Sequence, residues 1–293
     1  MKYFKKYYNK LKPYILLLPA LTVLLGLFMG GVMMALSQSL GYFPLLGLKE
    51  ITLKYYHQIW TSKEFLDALS FSLYISLTSS VLAVVIGVFL AYQLVRLPVK
   101  HRLVQLAYKI PIIVPHMVAS LMVFVIFTQS GLMARILYQL GFIAGMEDFP
   151  RLIFDRNGIG VILVYIWKEI PFIALMTYSV LKHVNGLWED VAYNLGASKR
   201  QVFWHIYLPL AAPSIGSAFI IIFAFSLGAF EIPFLLGPTY PQTLPVMAYQ
   251  KYVSLDLLQR PYAMVITMTL AIISFILIYL YNRLMKWVFD YET

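Results

Sequence analysis

Six long apolar stretches constrain the fold of this chain more than any other feature. A helix needs about 20 consecutive, mostly apolar residues to cross the hydrocarbon core of a bilayer. The stretches run over residues 14–36, 69–95, 110–128, 159–181, 213–234 and 262–284. A soluble domain with long buried strands would need frequent turn signals, and these stretches lack them. We therefore predict an all-α membrane protein with six transmembrane helices.

The composition agrees with a membrane protein and argues against other classes. Hydrophobic residues make up 61% of the chain and charged residues 12%, whereas soluble domains carry about 25% charged residues. The net charge is +10, but no basic helix or basic–aromatic patch stands out, so we predict no nucleic-acid partner. Cysteine is absent, which excludes disulfides and thiolate metal sites, and we predict no metal site.

The first apolar stretch has two interpretations. Lysines at positions 2, 5, 6, 10 and 12 precede it, and Ala35-Leu36-Ser37 resembles a weak cleavage site. Both features occur in signal peptides. The apolar core of a signal peptide is only about 7–15 residues long, however, and this stretch is longer. We predict an uncleaved first span.

Basic residues predict the orientation, because cytoplasmic loops carry an excess of Lys and Arg. If the N-terminus is inside, the inner segments hold most basic residues and the outer loops hold most acidic ones. Both termini are therefore predicted to be cytoplasmic. In the first outer loop, apolar and aromatic residues within 51–60 predict a short amphipathic helix, lying on the outer surface or acting as a lid.

The inner loop over residues 182–210 is patterned as two short helices. Asn185 or Gly186 can open the first helix, and Glu189 and Asp190 would lie in its first turn, where the helix dipole favours acids. Gly196 can end it in the left-handed conformation.

Ser198 can cap the second helix, and Pro209 is predicted to stop it. Apolar faces are predicted on both helices, comprising Leu187, Val191 and Leu195 on the first and Val202, Phe203 and Ile206 on the second. Such a hairpin could dock into a groove on another protein. The alternative is a solvated connector that lies on the lipid headgroups.

The same loop resembles the signature loop of bacterial binding-protein-dependent ABC permeases, Glu-Ala-Ala, three residues, Gly, nine residues, Ile-x-Leu-Pro. Asp replaces Glu and Val replaces the first Ala, but the spacing matches throughout. The resemblance assigns coupling with an ATPase to Glu189, Asp190, Val191, Ala192, Gly196, Ala197, Ile206, Leu208 and Pro209. Further similar stretches are 68–73, 87–92, 111–115 and 167–172.

The resemblance implies a type I importer permease with a MetI-like fold in the bacterial inner membrane. Its core would be residues 65–285, with the coupling loop at 182–210. Residues 1–64 would form an N-terminal tail, the first helix and an outer loop, and 286–293 a cytoplasmic tail. The implied partners are two ATPase subunits, a second permease subunit, related or identical, an extracytoplasmic binding protein and the lipid bilayer.

No catalytic role is predicted for the chain itself. It lacks the pattern Gly-x-x-x-x-Gly-Lys-[Ser/Thr] of a phosphate-binding loop. We expect no cofactor on this chain, with ATP and Mg bound by the partner ATPase subunits. A membrane enzyme would need a catalytic motif, and none is present. A secondary transporter, the other alternative, would show repeated halves and would not explain the loop.

Ionisable residues inside spans are costly and are functional candidates by default. We place five residues on a candidate translocation path, namely Tyr165, Trp167, Lys168, Glu169 and Glu231. The alternative is a structural ion pair between Lys168 and Glu231. His116 is interpreted as a hydrogen-bonded interior histidine.

The charges near the path conflict over the solute. The carboxylates and aromatic rings favour a cation, whereas Lys168 favours an anion. The segment 229–246 is most similar to the branch of the family that imports polyamines, ferric iron, thiamine and phosphonates. A polyamine such as spermidine or putrescine is the first prediction, and phosphonate, ferric iron, thiamine or sugar are the alternatives.

Overall fold

The computed structural model describes residues 2–96, 106–184 and 186–289, except the side chains of residues 2–10, 184, 187 and 287–289. Within these residues the regular structure is helical, apart from one isolated bridge between Phe43 and Leu48. Six of the helical segments are long and apolar enough to cross a membrane. These spans one to six are Leu11–Ser39, Lys63–Arg96, His116–Gln139, Ile159–His183, Lys199–Gly228 and Leu257–Lys286. The prediction of an all-α protein with six spans is confirmed.

The third apolar stretch of the sequence is interrupted by a proline immediately before span three. A short helix, Ile110–Ile113, ends at Val114, whose backbone is extended at ψ 127°. The next helix, His116–Phe127, begins after Pro115. The pyrrolidine ring disfavours the helical conformation for the residue before it. The apolar stretch predicted over residues 110–128 is therefore two helices, followed by a third at Leu132–Gln139.

The prediction that Pro209 stops the second loop helix is wrong. Lys199–Val202 continues through a π-helical turn, Phe203–Tyr207, into the helix Leu208–Gly228. In that turn the Leu208 N–H bonds to the carbonyl five residues earlier. Pro209 then lies in the first turn of the next helix, where its missing N–H costs least. The second loop helix and span five are thus one continuous helical rod.

Span five also ends earlier than predicted. Ala229 is extended at ψ 137° and ends the helix after Gly228. The short helix Glu231–Leu236 follows. The remaining helices are Lys54–Trp60, Leu187–Asn194, Leu244–Tyr252 and the full last helix, Arg260–Phe289.

The chain divides into two compact units, one of residues 1–62 and 248–269, the other of 63–247 and 270–293. In the first unit, the predicted outer-loop helix is present as Lys54–Trp60. Its Trp60 indole donates to Thr269 Oγ1 at 3.0 Å. The Tyr262 hydroxyl donates to Gln58 at 2.7 Å. This helix therefore packs against the first turns of span six.

Close packing of spans two and four forms the frame of the second unit. Small residues of span two are buried along one face, comprising Ser76, Ser80, Ala83, Gly87 and Ala91. At Gly87, an added Cβ would lie only 2.7 Å from Ile173 Cβ. Small residues allow helices in a membrane to approach this closely. Span four, which carries Lys168 and Glu169, is thereby held on a fixed support.

Candidate translocation cavity and coupling loop

Spans three, four and five of the second unit surround a cavity of about 240 Å³. Its lining residues are Ile112, His116, Tyr165, Lys168, Glu169, Phe172, Ile221, Ile222 and Phe225. Three of the five predicted path residues, Tyr165, Lys168 and Glu169, therefore share one cavity. The walls are mostly apolar, with a few polar groups, as is usual for small-molecule sites.

Lys168 binds the carbonyl groups at the proline break immediately before span three. Its Nζ donates to the Pro111 oxygen at 2.7 Å and also to the Val114 oxygen. Pro115 has no N–H, so it cannot satisfy the carbonyl four residues earlier in the helix. Lys168 supplies the missing donor. The alternative pair with Glu231 is not formed, because the only ion pair within 4.0 Å among the described side chains joins Arg96 and Glu189.

Glu169 is buried at the cavity wall, with a relative exposure of 4%. The hydroxyl of Ser226 on span five donates to Glu169 Oε1. The Tyr165 hydroxyl donates to the Ser226 carbonyl at 3.3 Å. Glu169 Oε2 is buried and has no hydrogen-bond partner among the described residues. A buried oxygen of this kind normally has a partner, so this atom is available to water or to a solute.

The other candidate residues lie elsewhere. Trp167 is half-buried and packs against an apolar cluster that includes Phe71 and Ile75. Glu231 is exposed in the first turn of its short helix and does not line the cavity.

Six of the nine residues of the cavity wall were not predicted as path residues, and two of them, His116 and Phe225, show why. His116, expected in the interior, is half-exposed at the cavity, with its ring 5.0 Å from that of Phe225. The Pro115 break immediately before His116 could have signalled this position. Phe225 gave no signal, because it is one apolar residue among many in span five.

Glycines bound the first loop helix as predicted. Gly186 precedes Leu187–Asn194 with φ at 101°, while Asn185 lies outside the described residues. Gly196 has φ at 84°. The Gly196 N–H donates to the Tyr193 carbonyl and the Ala197 N–H to the Ala192 carbonyl, both at 2.9 Å. This left-handed ending satisfies carbonyls at the end of the helix.

Ser198 caps the second loop helix, also as predicted. The Gln201 N–H donates to Ser198 Oγ at 3.3 Å, and the Ser198 N–H donates to Gln201 Oε1 at 2.8 Å. This reciprocal capping box fixes where the helix starts. The hairpin therefore has defined ends at both helices.

The large residues of the two predicted apolar faces differ in exposure. Val202 is buried in a cluster with Ala192, and Phe203 and Ile206 pack against that cluster. On the first helix, Val191 is 54% and Leu195 84% exposed. The side chain of Leu187 lies outside the described part. Large exposed side chains of the first helix, Trp188, Val191 and Leu195, form the outer surface of the hairpin, and Trp204 is a further exposed side chain in the π-helical turn.

The remaining loop residues from the motif differ in exposure. Asp190 and Pro209 are exposed, whereas Ala197, Leu208 and Ile206 are half-buried. Glu189, in contrast, turns inward and accepts hydrogen bonds from Tyr193 and Tyr207. The motif therefore contains both an outward-facing and an inward-facing set.

Comparison with known families agrees with this geometry. The family model "Binding-protein-dependent transport system inner membrane component" matches residues 83–289. The chain belongs to this family. It is therefore a non-catalytic, multi-pass permease subunit of an ABC importer, and the inner membrane follows from the family.

The curated relatives carry several names. A probable sulfate transport permease of Marchantia polymorpha is 27% identical over 224 residues, covering 76% of this chain and 74% of that protein. A molybdate/tungstate permease of Methanocaldococcus jannaschii is 27% identical over 199 residues, covering 67% and 73%. A ferric transport permease of Actinobacillus pleuropneumoniae is 28% identical, covering 72% of this chain but 29% of that protein. These names give no support to the polyamine prediction.

Solved structures match the fold of most or nearly all of the chain. A subunit of a bacterial ABC transporter for alginate has a TM-score of 0.82 at 17% identity, covering 99% of this chain and 100% of that one. The methionine transporter MetNI in its inward-facing form has a TM-score of 0.57 at 17% identity, covering 76% and 95%. The predicted type I permease fold is confirmed by these matches.

Proposed function

We propose that this chain forms half of a transmembrane pathway, paired with a second permease subunit, related or identical. Two ATPase subunits bind the loop hairpins and carry the ATP and Mg, and an extracytoplasmic protein delivers the solute. The exposed surface formed by Trp188, Val191 and Leu195 supports the docking role. Exposed apolar patches of this kind mark protein interaction sites.

The proposed solute is a small oxyanion such as sulfate or molybdate. The relatives named for sulfate and molybdate support this class. In the cavity, the Lys168 ammonium group donates two hydrogen bonds, to the Pro111 and Val114 carbonyls. An ammonium group has three donors, so one remains, and His116 lines the same wall. These two groups supply the hydrogen bonds and positive charge that an oxyanion needs.

A cationic solute, including the polyamine predicted from the sequence, is the second candidate. Its support is the buried Oε2 of Glu169, which has no partner among the described residues. The Phe172 and Phe225 rings line the same cavity. A carboxylate beside aromatic faces attracts cations.

Uptake by the reconstituted complex tests both candidates. The permease, its ATPase and its binding protein would be placed in vesicles with ATP, and uptake of labelled sulfate, molybdate and spermidine would be compared. ATP-dependent uptake of an oxyanion, strongly reduced by Lys168→Gln, is the expected result. Uptake of spermidine alone, reduced by Glu169→Gln, would replace the first candidate with the second.

Two controls test the role of the cavity and the proposed importer assembly separately. Glu147→Gln makes the matched acid-to-amide change at an exposed residue outside the cavity and should leave uptake intact. Uptake driven by an ion gradient without the ATPase would overturn the proposed assembly altogether.

A further inference from the structure

A cluster of polar side chains joins the inner face of the loop hairpin to two spans. Glu189 Oε1 accepts from the Tyr193 hydroxyl at 2.7 Å and lies 3.5 Å from Arg96 Nη2. Glu189 Oε2 accepts from the Tyr207 hydroxyl. Arg96 is the last residue of span two, and Tyr207 closes the π-helical turn of span five. One carboxylate therefore contacts three helical elements. We name Arg96, Glu189, Tyr193 and Tyr207 the loop clamp.

Aromatic rings hold the clamp from the membrane side. The Arg96 guanidinium lies 4.1 Å from the centre of the Tyr92 ring, a cation–π distance. The Tyr92 ring is also in edge contact with Phe203 and Tyr207, at centroid distances of 4.8 and 5.7 Å. Arg96 is thus fixed on both sides, by a carboxylate and by a ring, rather than extended into water.

The surroundings keep the Glu189 carboxylate charged. Its burial raises the pKa, but the hydrogen bonds from Tyr207 and Tyr193 and the charge of Arg96 outweigh burial and hold the pKa below its ordinary value. Only 15% of the Glu189 side chain and 27% of the Arg96 side chain are exposed. A partly buried, hydrogen-bonded pair of this kind is screened less by water and salt than a fully exposed ion pair.

The motif resemblance groups Glu189 with the residues that couple the chain to an ATPase, but its contacts in the clamp differ from those of its exposed neighbours. The neighbouring Asp190 is exposed, as are Val191 and Leu195. Glu189 points the other way, toward spans two and five. A group in this position cannot be the main contact of an ATPase that docks on the exposed face of the hairpin. It can, however, link the hairpin to spans two and five.

We propose that Glu189 is a positioning residue that fixes the loop hairpin to the ends of spans two and five, so that a displacement of the hairpin moves both spans together. The inference rests on the proposed docking of an ATPase to the outer surface of the hairpin. The continuous helix from Lys199 to Gly228 gives span five a direct connection as well. Span two is not continuous with the hairpin, so its coupling depends on side-chain contacts, namely the clamp and the packing of Tyr92 against Phe203.

Coupling efficiency in the reconstituted importer tests the proposal. For Glu189→Gln and Tyr207→Phe, the ATPase subunit should still co-purify and hydrolyse ATP, while solute transported per ATP falls by roughly tenfold, within the usual range of coupling between sites. Tyr207→Phe leaves the carboxylate in place, which guards against a folding defect of Glu189→Gln. Glu147→Gln is the matched control and should keep the wild-type ratio.

Different results identify different failures. A wild-type ratio in both clamp variants, or loss of ATPase co-purification in both, would overturn the positioning role. Absence of ATP-dependent uptake in the wild-type complex would instead refute the importer assembly on which the role rests.

A covalent replacement of the clamp gives a second readout. The chain has no native cysteine, so Arg96→Cys and Glu189→Cys can be combined and joined by a short bifunctional maleimide. The crosslinked double variant should recover solute transport per ATP relative to the uncrosslinked one, because the covalent crosslink replaces the ion pair between Arg96 and Glu189. No recovery after complete crosslinking would argue that the carboxylate acts in another way.

Discussion

The loop hairpin and the cavity use their glutamates in opposite ways. In the hairpin, Glu189 accepts from Tyr193 and Tyr207 and pairs with Arg96. In the cavity, Glu169 receives one hydroxyl and keeps a buried oxygen without a partner among the described residues. A carboxylate with donors on both oxygens holds elements together, whereas one with an unpartnered oxygen can accept a further hydrogen bond. The same residue type is thus fully hydrogen-bonded in one region and only partly hydrogen-bonded in the other.

The largest expected effect concerns the outer surface of the hairpin. Leu195→Asp places a charge on a residue that is 84% exposed and should not disturb the fold. If this side chain is an anchor for the ATPase, its loss costs about 2 kcal/mol or more, or about 30-fold in Kd. Binding of the ATPase to the purified permease measures it.

The matched control adds the same charge at a polar position of the same helix, Asn194→Asp. Its ATPase affinity should remain near that of the wild type, as should that of the cavity variant Glu169→Gln. Equal weakening by Leu195→Asp and Asn194→Asp would mean that charge, not the apolar surface, governs docking.

The next largest effect should be on the free energy of unfolding, which we expect to fall more for a Glu189 variant than for a Glu169 variant. Glu189→Ala removes the acceptor for Tyr193, Tyr207 and Arg96, and leaving partly buried donors unsatisfied costs about 1–3 kcal/mol. Glu169→Gln keeps the size of the side chain and should lower the free energy of unfolding less. Unfolding in mixed micelles, followed by circular dichroism, gives both values. A larger loss for Glu169→Gln would reverse the comparison.

Acid should weaken the hairpin through the same carboxylate. The pKa of Glu189 in the folded protein lies below its ordinary value, so its charge stabilises the fold at neutral pH. This stabilisation is complete above the unfolded pKa of about 4.3. It is lost as the pH falls below that value through the folded pKa.

Unfolding of the wild type and of Glu189→Gln should therefore be compared from neutral to acidic pH. The difference between their free energies of unfolding should shrink on acidification. A difference that stays constant with pH would show that the lost hydrogen bonds, and not the charge, account for the effect.

Local chemistry made much of this fold predictable from the sequence. Span length follows from hydrophobicity, and the ends of the first loop helix follow from glycine at Gly186 and Gly196. The prediction that Pro209 ends the second loop helix was wrong, because a π-helical turn before it lets the helix continue. The local pattern gave no hint of that turn.

Contacts between residues that are far apart in the chain could not be predicted from the sequence. The Lys168 side chain binds Pro111 and Val114, and Glu189 meets Arg96. Neither partner can be read from spacing, because each depends on which helices become neighbours. The motif indicated the family, which the family model confirms, but it could not distinguish the buried from the exposed face of the hairpin.

The smallest expected effect belongs to Glu231. The sequence placed it on the path with Glu169, but its side chain is exposed and lies outside the cavity wall. Glu231→Gln should therefore change the uptake rate by less than about twofold, as expected for a group that makes no contact in the rate-limiting state. Initial uptake rates of Glu231→Gln and Glu169→Gln, measured in the same vesicles, test this directly. If Glu231→Gln slows uptake as much as Glu169→Gln, the path extends beyond the cavity to the outer end of span five. Glu231 would then have to be counted with Glu169 among the groups available for binding.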